Sequence, residues 1–174
     1  MIFLYLAIIV LSNVVTAMFH PFSLFNGLLL IPAGSVFVGA TFLLRDFVQL
    51  RYGKRITYAA IAVATILSAT ISWIVGDTAF IAAASVIAFL VSESMDTEIF
   101  SRMKKSLGWR VVLSGIIGGV ADSVIFVVLG LSPIGAAMLT WSMVPYAILG
   151  QTVTKTVVQP IGVLAYFVLT KRKR

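Results

Sequence analysis

Residues 51–110 read RYGKRITYAAIAVATILSATISWIVGDTAFIAAASVIAFLVSESMDTEIFSRMKKSLGWR. Two apolar runs, 56–75 and 79–98, lie back to back inside this stretch, separated by little more than Gly76 and Asp77, a dipeptide that makes a tight turn. Each is about 20 residues long, the length an α-helix needs to cross the hydrocarbon core of a bilayer. Basic residues close both outer ends: Arg51, Lys54 and Arg55 before the first run, Arg102, Lys104, Lys105 and Arg110 after the second. Two spanning helices, joined on one side of a membrane and held by positive charge on the other, satisfy this pattern.

Working outward, further spans are expected at 1–19 and 28–48 upstream and at 110–130 and 144–170 downstream. The breaks are "FHPFSLFNG" at 19–27, with Pro21 and Gly27, Gly53 within the basic loop, and "GLSPIG" at 130–135. A third basic cluster, Lys171 to Arg174, ends the chain, and the first, third and fifth connections carry no Lys or Arg. Positive charge on alternate connections gives six spans with both termini in the cytoplasm. Residues 1–19 begin apolar without a basic leader or a small-residue cleavage site, so they read as a retained span. The stretch 131–143 is either a loop or a re-entrant or interfacial segment, and His20, beside Pro21, reads as solvated.

Composition agrees with this reading. Of 174 residues 60% are hydrophobic and 11% charged, against about 25% charged in soluble domains. No repeat or linker divides the chain, so 1–174 reads as one transmembrane domain, an all-α polytopic bundle of six helices. The net charge of +7 resides in the topology clusters and not in a basic groove, which argues against nucleic acid. With no cysteine and one histidine, thiolate chemistry is excluded and a histidine metal site is disfavoured. "GIIGG" at 115–119 lies in an apolar span and lacks the G-K-[ST] ending of a phosphate loop. No nucleophile–base set appears, so no enzyme, cofactor or metal is expected.

The informative residues are the polar ones placed where lipid-facing helices need none. Charges at mid-membrane are costly and are normally turned inward, paired, or set along a pathway. Lys155 lies deep in the last span, and Gln151, Lys155 and Gln159 recur every four residues as one stripe. Asp122 sits inside the fifth span on a face with Ser114, Gly118 and Phe126, and is the natural partner of Lys155. Gly115 and Gly119 add a small-xxx-small pattern that favours close helix packing. On the fourth span Glu93 is the deeper carboxylate and Asp96 lies one turn on, while Glu98 points towards Arg102 at the interface. Thr41, Arg45 and Gln49 share a face of the second span, with Asp46 beside it. Asn13 in the first span serves either binding or helix–helix contact.

Asn13, Glu93, Asp122, Lys155, Gln151 and Gln159 are thus the candidate substrate-binding residues, and Arg45, Asp46 and Asp96 the candidate gating or structural charges. Each has a plainer alternative: an ion pair locked for packing, a topology signal, or an interfacial residue. Trp73 and Trp141 fit an aromatic belt better than a stacking platform. Carboxylate, amide, hydroxyl and ammonium groups together suit a small, flat solute with donors and acceptors. A carboxylate accepting two parallel N–H bonds matches an amidine-like edge such as that of guanine.

Several strings resemble the queuosine precursor transporter family, also called the VUT or vitamin uptake family. They are "RDFVQLRYGKR" at 45–55, "SESMDTEIFSRMKKSLGWR" at 92–110, "GGVADSVIF" at 118–126, "GQTVTKTVVQP" at 150–160 and Asn13 in "LSNVVTA". The resemblance runs in order along nearly the whole chain, which is short for that family. It implies a six-helix bundle similar to the substrate-binding subunits of energy-coupling-factor transporters. It also implies uptake of 7-cyano-7-deazaguanine, 7-aminomethyl-7-deazaguanine or queuine, with Asn13, Arg45, Asp46, Glu93, Asp96, Asp122 and Lys155 at the site or gate. The expected setting is the inner or plasma membrane, with lipid and a deazapurine as partners and a homodimer left open. Two alternatives stand beside it: a binding subunit that needs an external ATP-driven module, and a non-transporting membrane scaffold.

Overall fold

The computed structural model describes residues 1–19, 22–24, 29–31 and 33–171; at position 17, for 23–30, at 158 and 159 and from 161 onwards side chains are not described. His20, Pro21, Gly27 and the basic tail from Arg172 lie outside the described residues. The described residues form six α-helices: α1 Ile2–Met18, α2 Ser35–Tyr52, α3 Lys54–Val75, α4 Ala79–Arg102, α5 Leu107–Phe126 and α6 Val144–Lys171. Among the described residues, α3, α4 and α5 with its extension to Leu131 are long and apolar enough to cross a membrane.

The predicted turns form for the predicted reasons. Gly76 ends α3 in the left-handed region, at φ 80° and ψ 29°, a conformation that glycine adopts without penalty. The Ser72 hydroxyl donates to the Asp77 carboxylate across that turn, and Thr78 caps α4 by accepting from the Ile81 N–H at 3.3 Å. Gly53, also at φ 80°, is the single residue between α2 and α3.

The start of the second span needs correction. The apolar run from residue 28 was expected to open that helix, but Leu29–Ile31 forms a strand (β2) antiparallel to Phe22–Leu24 (β1), with Phe22 opposite Ile31. The helix begins only at Ser35, because a proline at 32 biases the residue before it towards extended backbone. Gly34 then packs so closely on Ser12 and Thr16 of α1 that a Cβ there would clash with both. The stretch 131–143 is also more structured than a plain loop. A π-helical turn, Val127–Leu131, prolongs α5, and the chain folds back onto it through Ala136 N–H to Gly130 O and Leu139 N–H to Leu131 O, both 2.9 Å.

The helices close into a ring in the spatial order α1, α3, α4, α5, α6, α2, with α2 drawn inward far enough to touch α3, α4 and α5 as well. β2 packs against α6. All connections with basic residues fall at one end, the basic end; the hairpin and the α3–α4 turn lie at the other, the hairpin end. Polarity is inverted relative to a water-soluble protein. Arg45, Lys155 and Glu93 are among the largest fully buried side chains, while Phe3, Ile66, Trp73 and Ile74 are mostly exposed. An apolar exterior around a polar interior fits lipid as the surrounding solvent.

Candidate functional site

Buried polar groups gather at two levels. The first is a cavity of about 100 Å³ in the hairpin-end half, reached by all of α1 to α6. Ile9, Val38, Ala88, Phe89 and Phe126 give it apolar walls, Asn13, Gln151, Thr41, Ser68 and Ser85 give it amide and hydroxyl groups, and Asp122 and Lys155 give it charge. Its volume is of the same order as the ~150 Å³ cavity that admits a benzene ring.

Lys155 is fully committed within this wall. Its ammonium donates to Asp122 Oδ2 at 2.5 Å, to Ser123 Oγ at 3.1 Å and to Gln151 Oε1 at 3.1 Å. Three acceptors match the three donors an ammonium carries. Gln151 and Lys155 stand one turn apart on α6, as the four-residue stripe requires; the Gln159 side chain lies outside the described residues. The second oxygen of Asp122 faces the Ser92 hydroxyl at 3.3 Å. Asn13, on the opposite wall, donates to Ser68 Oγ at 2.8 Å.

The second level is a wholly buried charge cluster nearer the basic end. Arg45 faces three carboxylates: Glu93 through Nε at 3.0 Å, Asp46 through Nη1 at 3.0 Å, and Asp96 through Nη2. Its Nη1 also donates to Thr97 Oγ1 at 3.2 Å and Gln49 Oε1 at 3.3 Å, and Gln49 continues to Ser101 Oγ at 2.7 Å. Thr41 links the levels: it lines the cavity, and its hydroxyl oxygen stands 3.5 Å from Glu93 Oε1. Close approach of α5 makes this possible. A Cβ on Gly118 would come within 3.0 Å of Asp96 Cβ and 3.2 Å of the Ser92 carbonyl oxygen.

The expected residues therefore divide. Asn13, Asp122, Gln151 and Lys155 line the cavity, whereas Glu93 sits beneath it with Arg45, Asp46 and Asp96. Glu98 is separate, paired with Lys54 at 2.6 Å, Arg102 at 3.4 Å and Tyr58 at the surface. Sequence reasoning missed Ser92, Ser123 and Tyr5, which complete the two levels. Single hydroxyls in apolar helices give little signal, since most satisfy a carbonyl of their own helix. Among the described residues, no three His, Cys, Asp or Glu side chains are disposed to hold a metal ion; the centre of the acidic group is filled by the Arg45 guanidinium.

A helical membrane bundle that encloses a polar cavity walled by a buried ion pair has the architecture of a small-solute transporter. Residues 68–169, more than half of the chain, match the family model described as "Putative vitamin uptake transporter", and the protein belongs to that family. No curated protein and no solved structure matches the chain.

Proposed function

We propose that the protein imports a queuosine precursor, namely 7-cyano-7-deazaguanine, 7-aminomethyl-7-deazaguanine or queuine, across the cytoplasmic membrane, with the basic end and both termini in the cytoplasm. The vitamin uptake family supports a transport role over an enzymatic one. The observation that carries the substrate reading is the Asp122–Lys155 pair in the wall of a cavity flanked by Phe89 and Phe126. A deazaguanine is flat, with an amidine-like edge of parallel N–H donors and carbonyl and ring-nitrogen acceptors. The Asp122 carboxylate suits the donor edge, and the amide N–H groups of Gln151 and Asn13 suit the acceptors, with Lys155 holding Asp122 and Gln151 in place. Phenylalanine side chains accept the ring faces.

Thermal unfolding of the purified protein with candidate ligands tests this. A ligand that binds only the folded state adds about 2.7 kcal/mol at a hundredfold excess over Kd. Deazaguanines should raise the midpoint, while riboflavin, biotin and thiamine should leave it unchanged. Stabilisation by one of those vitamins and by no deazaguanine would overturn the substrate reading.

A further inference from the structure

The Arg45 cluster has a charge count that does not close. One guanidinium meets three carboxylates, and all four side chains are completely buried. With every group ionised, two negative charges are left over inside an apolar bundle, where an uncompensated ion carries a large desolvation penalty. Among the described residues, neighbouring helices offset this only in part, through the attraction of Arg110 for Asp46. From α5, Arg110 donates to the Phe100 carbonyl at 3.1 Å and stacks on the Phe100 ring, and Asp122 adds a further negative charge neutralised by Lys155 of α6. From α3, Tyr58 spends its hydroxyl on Glu98. From α1, the Tyr5 hydroxyl faces the cluster.

Of the three carboxylates, Glu93 is the one that two hydroxyls face. Its Oε2 accepts from Arg45 Nε, whereas Oε1 faces Thr41 Oγ1 at 3.5 Å. The Thr41 hydroxyl already donates to the Val38 carbonyl at 2.7 Å. A hydroxyl has one hydrogen, shared here between the Val38 carbonyl at 2.7 Å and Glu93 Oε1 at 3.5 Å; spent on the shorter bond, it leaves a lone pair facing Oε1. That arrangement repels a carboxylate and attracts a carboxylic acid. The Tyr5 hydroxyl, fully buried, faces the same carboxylate from a different helix.

We propose that the Arg45 cluster is a proton-binding site, with Glu93 as the acceptor, and that its occupancy is coupled to the cavity through Thr41. A proton delivered as hydronium through the cavity adds to Glu93 Oε1, giving a neutral acid that donates to Thr41 Oγ1; departure towards the basic end restores the carboxylate. The cluster thereby gains one positive charge and loses it again, and a proton accompanies the solute. This rests on the transport reading but not on the identity of the solute.

Infrared titration of the purified full-length protein tests the site with the proton itself as probe. At neutral pH the wild type should show the carbonyl stretch of a protonated carboxyl, lost in Glu93→Gln and retained in Asp122→Asn. If Glu93→Gln fails to fold, Thr41→Val serves instead: it removes the acceptor and should shift the band. Absence of the band at neutral pH overturns the proposal. So does its survival in folded Glu93→Gln, or an unmoved band in Thr41→Val. In proteoliposomes with an internal pH dye, 7-cyano-7-deazaguanine should acidify the lumen as it enters, and solute entry without acidification overturns the coupling. A deazaguanine that neither binds nor enters counts against the substrate reading alone, because the infrared result stands without it.

Discussion

Removal of either member of the Asp122–Lys155 pair should be costly, and by unequal amounts. Lys155 is 2% exposed and Asp122 12%. Breaking a buried pair by deleting one partner costs about 3–5 kcal/mol, since the other charge remains buried and unpaired. Asp122→Asn leaves the deeper group, an ammonium whose remaining acceptors, Ser123 and Gln151, are neutral, so it belongs near the upper end of that range. Lys155→Met leaves Asp122 with the Ser92 hydroxyl and a cavity that admits water, so it belongs near the lower end. The double variant replaces two charges by neutral groups, which is often nearly neutral for stability, so most of the two summed single costs should reappear as coupling energy in the cycle. Reversible unfolding in detergent micelles, followed by tryptophan fluorescence, measures all four proteins. Additive single costs would refute the pairing argument. Transport should be lost in all three variants, because the solute has lost its partners. A stable double variant that transports at the wild-type rate would reduce the pair to a packing element.

Gly118→Ala should destabilise by about 1–3 kcal/mol, the usual cost of overpacking, since the new Cβ meets Asp96 and the Ser92 backbone; unfolding midpoints would register it, and an unchanged midpoint would contradict the α4–α5 contact. Single cysteines are readily introduced into a chain that has none: Arg55→Cys and Lys105→Cys should react with an impermeant thiol reagent from the cytoplasmic side and Asp77→Cys from the opposite side. Labelling of 55 and 105 from different sides would break the six-span arrangement. Asn13→Leu removes the cavity amide that bonds Ser68 and should weaken ligand binding about tenfold or more, the worth of one lost hydrogen bond to a buried polar partner; unchanged affinity in calorimetry would remove Asn13 from the site.

The helices were legible wherever punctuation and hydropathy coincided. Gly76-Asp77 and the basic loop around Gly53 marked turns of three residues and of one. The apolar run before Ser35 misled because a short strand and the opening of a span have the same composition, and only pairing with Phe22–Leu24 distinguishes them. Asp122 and Lys155 stood out as charges among apolar neighbours, and their helical positions made the pairing readable. The division of carboxylates between two levels was not readable. Glu93 and Asp122 both look like deep acids in sequence; the inward position of α2 is what gives one to Arg45 and the other to Lys155. Ser92, Ser123 and Tyr5 acquire meaning only from the neighbours that tertiary packing brings to them.

The most direct test of the central claim is uptake of 7-cyano-7-deazaguanine into proteoliposomes that contain only this protein, beside vesicles with Asp122→Asn. Wild-type vesicles should take up the deazaguanine saturably, unlabelled 7-aminomethyl-7-deazaguanine should compete, riboflavin should not, and Asp122→Asn should stay at the rate of empty vesicles. Wild-type protein that is folded by its unfolding transition, yet takes up no deazaguanine above empty vesicles, would contradict the account.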